Sequence, residues 1–165
     1  MQTLRTILRR KLAGAKRIAV LGIGSELRAD DAAGILAARQ LKKALAGRKK
    51  GRAVKIFLGE TAPENLTGEI KRYKPSHLVI IDSADLRKRP GTIFVFTPQE
   101  VGGGVSFSTH KMPARILVDY LVASLGCEVA IIGIQPKSVD FGQDISRAVE
   151  ISAKKAATAL AGAIS

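Results

Sequence analysis

The sequence contains one cysteine, no tryptophan, two tyrosines and five phenylalanines in 165 residues. A lone Cys127 forms no internal disulfide. Its neighbours, GCEVAIIG, read as the opening of a buried strand, so its thiol is expected to be packed and not nucleophilic. No run approaches the roughly 18 apolar residues of a membrane span, and residues 1 to 17 lack the apolar centre of a secretory signal. A cytoplasmic protein without membrane attachment is expected. No Gly-x-Ser-x-Gly elbow is present, which leaves only a weak nucleophile reading for Ser106 and Ser108 near His110.

Acidic residues are also scarce: 14 Asp and Glu stand against 27 Lys and Arg, for a formal charge of +13. The first 17 positions hold six bases and no acid. Eight more (Arg39, Lys42, Lys43, Arg48, Lys49, Lys50, Arg52 and Lys55) lie between Asp31 and Glu60, again with no acid between. Such an excess often signals nucleic acid, but stacking aromatics are few and no reading motif is present, which weighs against that partner. The two clusters read as solvated helix faces or as a surface that steers an acidic protein partner.

What is present is enough apolar material, 46% of residues, to close one core. A single domain over 1–165 is expected, with an extra N-terminal helix over 1–16 and a main fold over 17–163. RIAVLGIG (17 to 24), AVKIFLG (53 to 59), HLVIIDSAD (77 to 85), TIFVFTP (92 to 98) and EVAIIGIQP (128 to 136) read as five strands. Between them, DDAAGILAARQLKKAL, APENLTGEIKRY, ARILVDYLVASLG and residues 143 to 163 read as helices, with Pro63 in a first turn. VGGGVSFSTHKMP reads as a long loop. The alternation predicts an α/β three-layer sandwich, a mostly parallel twisted five-stranded sheet with helices on both faces. The RKRPG connection is too short for a helical crossover, so the fourth strand should run antiparallel to the third.

Ligands of such sheets bind where loops leave the carboxyl ends of strands. Three segments qualify: the turn after the first strand with Glu26, Asp30 and Asp31; the end of the third strand with Asp82 and Asp85; and the loop with Ser106, Ser108, Thr109 and His110. The stretch GIGSELRADDAAG is glycine-rich, yet Leu27 stands where a dinucleotide turn needs its third glycine, and two aspartates would repel phosphate. The same acids suit a cation. Asp31, Asp82 and His110 make a donor set appropriate to a borderline divalent ion such as nickel or zinc. Each also has a structural reading: the aspartate pair as a helix cap, Asp82 as a partnered core carboxylate, His110 as a solvated loop residue and His77 as a surface residue.

The blocks VLGIGSELRADDAAG, GETAPENLTGEI, HLVIIDSAD, PGTIFVFTP, STHKMP and IIGIQP, in that order, resemble the hydrogenase maturation endopeptidases. Within that family the chain looks most like the branch serving formate-hydrogenlyase (hydrogenase 3) enzymes. The resemblance runs from about residue 17 to 160 and departs from the family at Ser25, more often asparagine, and at Ala32, frequently glycine. It implies an endopeptidase that removes a C-terminal extension from the large-subunit precursor of a nickel-iron hydrogenase. It also implies that Asp31, Asp82 and His110 contact nickel and carry catalysis, that the nickel is held by the precursor, and that the free protease binds metal weakly. Whether nickel or a carboxylate activates the water is open at this level. A basic binding module and a nucleotide-binding enzyme are the alternatives.

Overall fold

The computed structural model describes residues 1–48, 51–101, 106–107 and 114–165. The central strands lack the polar alternation of a half-solvated sheet, and this is why they end up covered on both faces. β1 (Arg17–Ile23) is buried at every residue after the first, and β3 (His77–Asp85) at every residue before the last. β1 pairs in parallel with β2 (Ala53–Glu60) and with β3, and β3 pairs in parallel with β6 (Glu128–Ile134). β4 (Ile93–Phe96) closes the far edge, giving the order β2-β1-β3-β6-β4. The mostly parallel α/β sheet inferred from the sequence is therefore found.

Two features differ from the expectation. The sheet has six strands and not five, because β5 (Ser106–Phe107), inside the segment read as a loop, pairs antiparallel with Ala84 and Asp85 of β3. Two residues are too few to leave a periodic signal. β4 does run antiparallel, but its hydrogen bonds go to β6, with Ile93 opposite Ile134 and Phe96 opposite Ile131. β6 inserts between β3 and β4, so these two consecutive strands are not a hairpin.

Alternation along each strand divides the core. On one face Val20, Val79, Ile81 and Ile132 pack against α2 (Ala33–Leu45) and α5 (Arg147–Ile164). On the other, Leu21, Leu78, Ile80 and Ile131 pack with residues of α3 (Thr67–Tyr73) and α4 (Ala114–Leu125). α1 (Leu4–Lys11) buries Leu8 against the first layer, and Leu12 follows it into the same cluster. The expected helix at 62–73 is split into a 3₁₀ turn, Pro63–Leu66, and the short α3. His77, expected at the surface, is only 7% exposed, since β3 is the central strand and even its first residue has neighbours on both sides. Among the described residues no helix is long and apolar enough to cross a membrane.

Candidate active site

The glycines of the first loop exist to let backbones touch. A Cβ on Gly24 would lie 1.8 Å from the carbonyl oxygen of Asp31, and one on Gly34 would lie 2.2 Å and 2.3 Å from the carbonyl oxygens of Ile81 and Ile23. Gly24 also has a φ of +136°. These contacts draw the start of α2 onto the carboxyl ends of β1 and β3, and the aspartates ride on that approach. Asp30 and Asp31 do not begin a regular helix. They sit in a 3₁₀ turn, Ala29–Ala32, and α2 starts at Ala33 without a side-chain cap.

Asp31 is fully buried. Its Oδ2 accepts the Ser25 backbone N–H at 3.0 Å, and its Oδ1 accepts the Ser83 hydroxyl at 3.4 Å. The bond from position 25 comes from the main chain, so serine in place of the family's usual asparagine leaves it in place. Ala32 has φ −65° and ψ −9°, a right-handed conformation that needs no glycine. Both departures from the family pattern thus leave Asp31 held.

Asp82, 1% exposed, occupies the carboxyl end of β3 beside Ser83. With Ile23, Ile80, Phe107, Leu117 and Val118 it lines a recess of about 10 Å³, room for about one water. The Ser83 hydroxyl links the Asp31 carboxylate, in the turn after β1, to β3, the strand that carries Asp82, so two of the three predicted site residues arrive at the carboxyl end of the sheet. His110, with Ser108 and Thr109, lies outside the described residues. Among the described residues no three His, Cys, Asp or Glu side chains gather as a metal-holding set.

The remaining candidates serve the scaffold. Asp30, also fully buried, accepts from the Lys137 N–H at 2.7 Å, the Ser138 N–H at 3.3 Å, and the Ser146 N–H and hydroxyl at 2.6 and 2.9 Å. It therefore clasps the loop leading into α5, whose N-cap is Ser146. Glu26 is exposed and paired with Arg39. Asp85 is held below the usual carboxylate range, first by the Arg87 backbone N–H and then by the Gln135 side-chain amide. Gln135 had no role in the sequence reading. It is 7% exposed, and its Oε1 accepts from the N–H groups of Leu86 at 2.6 Å and Lys88 at 3.2 Å, tying the loop after β3 to the end of β6. The only hint was a polar residue directly after the apolar run IIGI. Cys127 is half-buried among apolar neighbours, and burial pushes its thiol up, as expected of a packed cysteine.

A family model described as HycI, hydrogenase maturation protease, matches residues 35–163. The chain belongs to the hydrogenase maturation protease family. Among its relatives, the hydrogenase 3 maturation protease of Escherichia coli K12 is 36% identical over 135 residues, covering 79% of this chain and 83% of that one. A Methanocaldococcus jannaschii chain provisionally named a hydrogenase maturation protease is 36% identical over 148 residues, covering 88% and 86%. The crystal structure of the nickel-iron hydrogenase maturation protease HycI from Thermococcus kodakarensis superposes with a TM-score of 0.84 at 30% identity, over 96% of this chain and 98% of that one. The hydrogenase maturation protease fold and the endopeptidase class implied by the sequence are both found here.

Proposed function

We propose that this protease cuts the C-terminal extension from the large-subunit precursor of a nickel-iron hydrogenase of the hydrogenase 3 type. In this reading cleavage follows nickel insertion, and the nickel belongs to the precursor. Asp31, Asp82 and His110 complete the coordination of that ion, and the scissile bond is positioned by the contact. The reaction takes place in the cytoplasm, with the precursor as the protein substrate.

One observation carries the reading: two carboxylates, 0% and 1% exposed, one in the turn after β1 and one near the end of neighbouring β3, are linked through the Ser83 hydroxyl in a member of this family. A carboxylate removed from water is costly unless charge-assisted bonds or a cation offset the loss. A divalent ion carried by the precursor would add to the bonds Asp31 already accepts and invert the local electrostatics. Chain connectivity adds to the argument. His110 follows Phe107 by three residues in the sequence, and Phe107 pairs with Ala84 of β3, two positions beyond Asp82. Asp31, Asp82 and His110 would hold the precursor's nickel, which would supply Lewis-acid polarisation of the scissile carbonyl or of a water.

The test is conversion of a precursor in nickel-loaded and nickel-free forms, read as a mass decrease. The loaded form should be cut and the free form should not. Asp31→Asn, Asp82→Asn and His110→Ala should each lower conversion by about a hundredfold or more while the circular dichroism spectrum is unchanged. Equal cutting of the two precursor forms would remove nickel from the reading, and unaffected cutting by the variants would remove these residues.

A further inference from the structure

The acid-free stretch between Asp31 and Glu60 has no role in the chemistry above, and the structure collects part of it around one groove. About 590 Å³ in volume, it runs along β2 and is lined by Lys42, Arg48 and Arg52 beside half-buried Val54 and Ile56, with Lys55 at its border turned to the other face of the strand. Among the described residues no acidic side chain lines it. Arg48 and Arg52 each direct a guanidinium N–H to a backbone carbonyl, of Ala161 at 3.1 Å and of Leu12 at 3.0 Å. Those bonds fix the two cations in position, and a neutral carbonyl cancels neither charge. Lys55 has Glu69 at 3.9 Å with both side chains about half exposed, a weak pairing.

β2 is also an edge. It hydrogen-bonds to β1, and among the described residues no strand pairs with its outer side. An edge strand presents unpaired N–H and C=O groups, which an extended peptide can complete. A strand laid there would turn alternate side chains in opposite directions, one set toward Val54, Ile56 and the cations of that face, Lys42, Arg48 and Arg52, and the other toward the face of Lys55 and Glu69. Of the ligands that such a groove could take, nucleic acid is disfavoured because no aromatic side chain lines it for base stacking. A second copy of a chain with a formal charge of +13 is repelled.

We infer that the outer edge of β2 is a docking surface for an extended segment of a partner protein that carries acidic residues at alternate positions. The segment adds as a strand, its carboxylates facing Lys42, Arg48 and Arg52 on the side of Val54 and Ile56. Through the sheet register Leu58 is level with Gly22 and Ile81, and Val54 lies four residues earlier. The groove therefore opens roughly 13 Å toward the amino ends of the strands from that level and leaves the Asp82 edge clear. This inference does not depend on the nickel reading.

The test is titration of ¹⁵N-labelled full-length protein with an alternating glutamate–valine heptapeptide. Expected shifts fall on β2 amides, with affinity falling at least about tenfold between low and roughly 0.3 M salt. Lys42→Glu combined with Arg48→Glu, both exposed positions, should weaken binding about tenfold or more, and the charge-keeping pair Lys42→Arg with Arg48→Lys should not. Shifts centred on another surface would overturn the inference, as would equal binding by the double glutamate variant. Tighter binding of an oligonucleotide of matched charge to the same amides would overturn it too, as would a concentration-dependent dimer using that edge.

Discussion

Asp30 and Asp31 are adjacent and chemically identical, and the fold gives them different partners. Asp30 accepts four hydrogen bonds from the loop that leads into α5, so Asp30→Ala strands buried donors and should cost about 3 kcal/mol or more in urea unfolding. Asp31→Asn keeps an oxygen for the Ser25 N–H and should change stability by no more than about 1 kcal/mol, with the loss falling on conversion. The sequence made the pair visible as unusual but could not divide the roles, because the partners at 137, 138 and 146 are more than a hundred positions away. His77 is legible only in the fold. Burial, chiefly, holds its pKa below the ordinary 6.5, against an opposing pull from Glu128. The unfolded chain then takes up a proton that the folded chain resists, so this contribution to stability is complete above pH 6.5 and shrinks as pH falls through the window beneath it. The midpoint of thermal unfolding should drop more steeply below pH 6.5 in the parent protein than in His77→Gln.

At the scale of elements, backbone conformation is concentrated where strands end. Ala29 and Arg87 take φ values of 46° and 53° in the connections after β1 and β3, Glu60 takes 49° as the last residue of β2, and Lys74 takes 51° at the end of α3; none of them is glycine. Left-handed non-glycine residues cost about 1 kcal/mol each and persist where the surroundings dictate them. Ala29→Gly should therefore be neutral within about 1 kcal/mol, since relief of strain is offset by the greater freedom of an unfolded glycine. Gly24→Ala is the opposite case: it forces a methyl group onto the Asp31 carbonyl at an unfavourable φ and should cost about 3 kcal/mol or more, with conversion falling alongside. Chemical denaturation of both variants checks the contrast. The long apolar runs of β1, β3 and β6 and the helical spacing of α2, α4 and α5 made these elements readable in advance. β5 was not, because its two residues are fixed by pairing with β3 and not by any local preference.

For the whole molecule, the sequence blocks sufficed for layer order and enzyme class, whereas the place of α1 required coordinates. Leu8 and Leu12 are buried against the α5 layer, Arg5 donates to the Gly162 carbonyl at 3.2 Å, and the Leu12 carbonyl receives Arg52. Removing residues 1–14 should expose that seam and lower unfolding free energy by about 4 kcal/mol, taking about 2 kcal/mol per buried leucine. A shifted urea midpoint with a smaller denaturant slope would register the loss.

The insertion of β6 between β3 and β4 also sets a schedule for the emerging polypeptide. β3, bearing Asp82, is flanked on one side by β1 and on the other by a strand that begins at Glu128. A ribosome that has delivered the first hundred residues has released both aspartates, yet the strip of backbone beside Asp82, opposite Gly133, is still missing. β4, already made, must wait for the same latecomer. Synthesis thus keeps the Asp82 edge of the sheet unfinished until more than three quarters of the chain has left the exit tunnel, and premature termination yields a fragment with an open sheet.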